Sequence, residues 1–185
     1  MNLKTGAFAV LVLATLPCSA VDHKVCVECH GEDGVATSSG FPNLAGQHAD
    51  YLLKQLRDFR GGQRSSPFMN IVADKLKEEE LETIAAWFAA LPAARSSMRP
   101  AASAGRALYT RTGAGGSCAS CHGDAGEGGA HVPALRGQQM FYLREQLLNW
   151  RAGQRNNSPG RIMNQVADPL SDADIDTLAR YLSGM

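Results

Sequence analysis

Mostly apolar residues fall at helical spacing in four places along the chain. Tyr51, Leu52, Gln55, Leu56 and Phe59 form one stripe, and Tyr142, Leu143, Gln146, Leu147 and Trp150 form a second. Steps of three and four residues place such positions on one helix face. Gly61-Gly62 and Gly153 stand where these helices should stop. Two further stripes follow: Leu81, Ile84, Ala85 and Phe88, then Ile175, Leu178, Ala179 and Leu182. Glu78, Glu79 and Glu80 put negative charge in the first turn of one, which suits the helix dipole. Ser171 with Asp174 offers a variant capping box to the other. No stretch alternates as a strand would, so the pattern predicts an all-α fold.

The four stripes are two stripes used twice. Cys26-Val27-Glu28-Cys29-His30-Gly31 answers Cys118-Ala119-Ser120-Cys121-His122-Gly123, and Pro42-Asn43-Leu44-Ala45-Gly46-Gln47 answers Pro133-Ala134-Leu135-Arg136-Gly137-Gln138. Gly62-Gln63-Arg64 returns as Gly153-Gln154-Arg155. After a three-residue insertion, Met69-Asn70 returns as Met163-Asn164. Two copies are too few for a solenoid. They predict two like domains, residues 21–91 and 103–185, joined by an Ala/Ser/Pro-rich linker over 92–102 that lacks apolar periodicity.

The first twenty residues read as an export leader. Lys4 supplies the positive start, Ala7 to Leu16 the short apolar run, and Ser19-Ala20 a small-residue cleavage site. The run is too short to span a bilayer of about 30 Å; a buried N-terminal helix is the competing reading. A lipoprotein reading of Cys18 fits poorly. Cleavage after Ala20 reduces five cysteines to four and leaves 17 basic against 18 acidic residues. No basic tract remains to suggest nucleic acid as a partner. Domains this small, in a chain only 6% aromatic, bury modest cores and usually need a staple.

The cysteines offer that staple. Cys-x-x-Cys-His is the attachment signature of c-type haem: two thiols three positions apart each add to a vinyl group, and the adjacent histidine lies under the ring. Cys26 and Cys29 would tether one haem c and Cys118 and Cys121 a second, with His30 and His122 as axial ligands. A single zinc site made from the four thiols would leave both histidines without a role, and a redox dithiol wants a strand–helix context that is absent. For the sixth position the candidates are Met69 and Met163, which occupy the same place in both halves, 39 and 41 residues after the histidines. Each is read as sitting in a Gly/Ser/Pro-rich segment, a loop suited to wrap over a haem edge; ordinary core methionines are the plain alternative. His23, His48 and His131 do not recur between halves and read as surface residues. Carbonyls at Pro42 and Pro133 could orient the histidines. Tyr51/Tyr142, Phe59/Trp150 and Trp87/Tyr181 read as core aromatics first. Arg60/Arg151 and Arg64/Arg155 read either as partners of haem propionates or as solvated arginines.

These motifs over residues 25–185, with Phe41 to Gln47, Tyr51 to Leu56 and Leu170 to Ile175, resemble the di-haem cytochrome c4 family, two class I cytochrome c domains in tandem. The resemblance implies His/Met ligation of both irons, domains related by a pseudo-twofold axis, propionates near their interface, and electron delivery toward a terminal oxidase. The expected protein is a periplasmic electron carrier and no enzyme. It has no small-molecule substrate. Its partners are redox proteins, a membrane oxidase or a dehydrogenase, and peripheral membrane contact is compatible with that. The runner-up is a di-haem subunit of a dehydrogenase such as a flavocytochrome that oxidises sulfide; a di-haem peroxidase comes third. One departure stands out. Domain 2 has Ser103 to Tyr109 as a helix before its cysteines, and domain 1 has only Val21 to Val25.

Overall fold

The computed structural model describes residues 23–96, 102–113 and 115–185. The leader over residues 1–20 and the linker residues 97–101, Met98 among them, lie outside the described residues. The first half carries α1 (Lys24–His30), α2 (Ala49–Arg60), α3 (Met69–Asp74) and α4 (Glu78–Ala90). The second carries α5 (Ala102–Thr110), α6 (Cys118–His122), α7 (Met140–Arg151), a 3-10 turn at Pro159–Arg161, α8 (Ile162–Ala167) and α9 (Asp172–Ser183). Among the described residues there is no strand; Gly113 with Gly116 and Gly129 with Val132 form isolated bridges. The all-α expectation holds.

Each half closes its own core with the stripes the sequence displays. Leu52 of α2 packs on Ile84, Ala85 and Phe88 of α4. In the second half Leu143 of α7 meets Ile175, Leu178, Ala179 and Leu182 of α9. Each of the Leu, Ile and Phe side chains among these, fully buried, contributes about 1.5–3 kcal/mol. Ser171 caps α9 as its sequence suggests: its hydroxyl accepts from Asp174 N–H at 3.1 Å, and the Asp174 carboxylate accepts the Ser171 N–H at 3.1 Å.

The halves differ at their N-terminal ends. α5 lies against α9 so closely that a Cβ on Gly105 would stand 2.3 Å from the Tyr181 Cβ. The Tyr109 ring is fully buried there, 5.9 Å from that of Tyr181. Among the described residues the first half has no counterpart of α5. The His23 ring instead stacks on Trp87 at 4.3 Å, and Trp87 holds the position in α4 that Tyr181 holds in α9. His23 is therefore half-buried, where the sequence reads a surface residue.

Two details depart from expectation. Met69 opens α3 and Met163 is the second residue of α8, so both stand at helix starts and not in the preceding loops. Their N–H groups donate to Ser66 Oγ at 3.3 Å and Ser158 Oγ at 3.2 Å, which fastens each start to its loop. The described start of the linker is closely packed. Ala93 and Ala94 cross Gly46 and Gly137, where a Cβ would come within 2.6 Å of Ala93 Cβ and 2.8 Å of Ala94 O.

Candidate redox sites

Each Cys-x-x-Cys-His motif folds as a short helix, α1 or α6, with its thiols one turn apart along one side. A glycine must end both. Gly31 has φ of 83°, and a Cβ there would sit 2.2 Å from the Val35 carbonyl oxygen. This break turns the chain back toward Pro42 and Pro133. His30 Nδ1–H donates to the Pro42 carbonyl at 2.9 Å, and His122 Nδ1–H to the Pro133 carbonyl at 2.8 Å. A carbonyl only accepts, so the ring proton sits on Nδ1 and the Nε2 lone pair is left for a metal. Burial lowers both imidazole pKa values, against the smaller raising effect of the proline carbonyls. The shift is toward the neutral form, the one in which an imidazole can coordinate a metal.

None of Cys26, Cys29, Cys118 and Cys121 forms a disulfide. Burial pushes the Cys118 thiol above its ordinary pKa. Among the described residues no group of three or more His, Cys, Asp or Glu side chains converges to hold a metal ion.

The two halves meet through a polar seam in which contacts occur in pairs with roles exchanged. Gln47 donates Nε2–H to the Ala134 carbonyl at 3.1 Å and accepts the Ala134 N–H at 2.9 Å. Gln138 does the same to Asn43, at 2.9 and 2.7 Å. Ala134 and Asn43 each follow the proline that takes a histidine proton, so the seam borders both sites. Gln139 adds a bond to the Ala36 carbonyl at 2.8 Å, and His48 Nε2–H reaches the Glu127 carbonyl at 2.8 Å. His48 is therefore a half-buried interface residue, where the sequence reads a surface one; His131 is exposed.

Two arginines cross this seam. Arg64 donates to Gln55 Oε1 in its own half and to Tyr142 Oη and Gln146 Oε1 in the other, each at 2.9 Å. Arg155 mirrors it, donating to Gln146 at 2.7 Å, Tyr51 at 3.2 Å and Gln55 at 2.9 Å. Each guanidinium also lies over an aromatic ring, Phe59 at 4.5 Å and Trp150 at 4.3 Å. Arg64 is 8% and Arg155 7% exposed, so neither is a solvated arginine. Arg60 and Arg151 behave differently, pairing with Glu78 and Asp172 at the surface. Burial works to raise the Tyr142 hydroxyl pKa, but Arg64 and Arg155 together outweigh it and the pKa falls. Arg64 is affected the other way: burial alone would lower its pKa, and Tyr142, Tyr51 and Asp58 raise it.

No ion pair among the described residues gives Arg64 or Arg155 a carboxylate. A buried charge is costly without a counter-charge. The chemistry present in each half is therefore a thiol pair, a neutral imidazole with Nε2 presented, and a buried cation lacking an anion. That set fits a metalloporphyrin bearing carboxylates. When bound, haem supplies one-electron iron chemistry; the thiol pairs would tether it, His30 and His122 would offer Nε2 to its iron, and Arg64 and Arg155 would offer positive charge to its carboxylates.

An all-helical chain with two such sites belongs to the class of di-haem c-type cytochromes, with one covalent haem c per half. The Cytochrome c family model matches residues 102–185. Cytochrome c4 of Thiocapsa roseopersicina is 36% identical over 169 residues, spanning 87% of each chain. The crystal structure of reduced cytochrome c4 from Pseudomonas stutzeri superposes with a TM-score of 0.82 at 37% identity, covering 88% of this chain and 94% of that one. A thiosulfate dehydrogenase electron acceptor of Stutzerimonas stutzeri strain A1501 is 38% identical over 169 residues, 86% of this chain and 78% of the relative. The chain belongs to the cytochrome c4 family; it is a di-haem electron carrier and no enzyme.

Proposed function

We propose that the chain carries single electrons in the periplasm between respiratory donors and a terminal oxidase, with His30 and Met69 ligating one iron and His122 and Met163 the other. The observation that carries the ligand assignment is the repeated hydrogen bond from histidine Nδ1–H to a proline carbonyl, which presents Nε2 in both halves. The repeated placement of Met69 and Met163 at helix starts supports them as the second ligands. Two strong axial ligands leave no open iron position, which suits electron transfer without turnover. The leader read at residues 1–20 supports the periplasm. No helix among the described residues is long and apolar enough to cross a membrane, and the physiological partners are redox proteins.

A second reading has its own support. One relative is named as the electron acceptor of a thiosulfate dehydrogenase, so a sulfur-oxidising dehydrogenase is a donor of the right kind. The test is to mix reduced protein with inner-membrane vesicles holding a terminal oxidase and follow oxygen uptake. Cyanide-sensitive reoxidation of both haems is expected. Absence of reoxidation, with rapid reduction by a dehydrogenase and thiosulfate, would replace the first reading with the second.

A further inference from the structure

We infer that Arg64 and Arg155 are positioning residues that place one positive charge each on the seam shared by the two halves, so that each arginine sets the potential of both irons and not only that of its own half. The inference rests on the di-haem reading above.

Each guanidinium is bonded to both halves at once. Arg64 is held by Gln55 on one side and by Tyr142 and Gln146 on the other; Arg155 is held by Gln146 and by Tyr51 and Gln55. Gln55 and Gln146 each accept from both arginines, which ties the two cations into one cluster. The aromatic faces of Phe59 and Trp150 fix each fork from a further side. A flexible surface arginine would be screened by solvent, whereas these are nearly fully buried and act through a low dielectric. The nearest acidic group acting on Arg64 is Asp58, and its carboxylate is already engaged by Lys54 and by Asn157 Nδ2 at 2.5 Å. Asn157 belongs to the inserted loop of the second half, and its carbonyl also accepts from Lys54 at 2.8 Å. The insertion therefore keeps the Asp58 carboxylate engaged elsewhere, so that it acts on Arg64 through space and not as a direct ion pair.

A fixed positive charge opposes the ferric state, so removing it must lower the midpoint potential of any iron that feels it. The experiment is a spectroelectrochemical titration of the holoprotein as wild type, Arg64→Gln, Arg155→Gln, Arg64→Lys and Arg151→Gln. Arg64→Gln is expected to lower both midpoints, by about tenfold in the reduction equilibrium, or 59 mV for a one-electron couple. Arg155→Gln should do the same from the other half. Arg64→Lys keeps the charge and should retain most of the wild-type midpoints, and Arg151→Gln, at the surface, should leave both unmoved. A shift confined to one haem, or no shift with both haems retained, overturns the inference. Loss of covalent haem from the wild type would instead overturn the di-haem reading beneath it. Should Arg64→Gln fail to fold, Arg155→Gln reads the same quantity.

Discussion

Gln47 and Gln138 each spend a whole side-chain amide on one backbone unit of the opposite half, donating and accepting at once. The Gln138 bonds to Asn43 are buried and those of Gln47 to Ala134 partly so, and a buried backbone N–H or C=O left alone costs about 1–3 kcal/mol. Gln138→Leu should therefore destabilise the protein by roughly that amount per orphaned group, read from denaturant unfolding; a change near zero would show that water replaces the amide. At this scale the haem signatures were legible, because Cys-x-x-Cys-His is a local pattern. The pairing of Arg64 with Arg155 was legible too, as a repeat. Their burial was not, since Arg64 meets Tyr142 78 residues away and Arg155 meets Tyr51 104 residues away. Asn43 was missed because Ala134 stands opposite it in the repeat, so symmetry gave no signal.

Helix faces were readable from spacing, and α2, α4, α7 and α9 fall where their stripes predict. The short helices α3 and α8 were not, because six residues hold too little periodicity to separate helix from loop. Tight packing at α5 gives a sharp prediction. Gly105→Ala should cost about 1–3 kcal/mol by overpacking against Tyr181, while Gly40→Ala, with open space around its Cβ, should change little in the same thermal-unfolding assay. The start of α9 predicts acid sensitivity. The Asp174 carboxyl is held below its ordinary pKa by the Ser171 hydroxyl and N–H, and that of Asp172 by Arg151. A depressed folded-state pKa stabilises above the unfolded value and is lost as pH falls through the folded one. The contribution of these two carboxylates should thus be constant from neutrality to about pH 4 and be lost below it. Ser171→Ala should remove about 1 kcal/mol at neutral pH and flatten part of the acid decline; an unchanged acid limb would argue against the cap.

Taken whole, the chain is two small cores sharing one polar seam, and the repeat in the sequence already implied as much. What the sequence could not show is that the seam closes through reciprocal glutamines and crossed arginines, with Ala93 and Ala94 pressed onto Gly46 and Gly137. Because the cores are separate and the seam is hydrogen-bonded, the halves should unfold together only while the seam holds. Calorimetry of the double variant Gln47→Leu/Gln138→Leu should split one transition into two; a single transition would mean that the apolar cores alone couple them. The central claim is that each haem iron is closed by imidazole on one side and thioether on the other. Its most direct test is the red-edge absorption spectrum of the oxidised protein, read for the sulfur-to-iron charge-transfer band in wild type, Met69→Ala and Met163→Ala. The account predicts a band in the wild type that falls by about half in either variant, one iron–sulfur bond being lost from two equivalent sites. A wild-type spectrum without the band, or one that both substitutions leave intact, would contradict it.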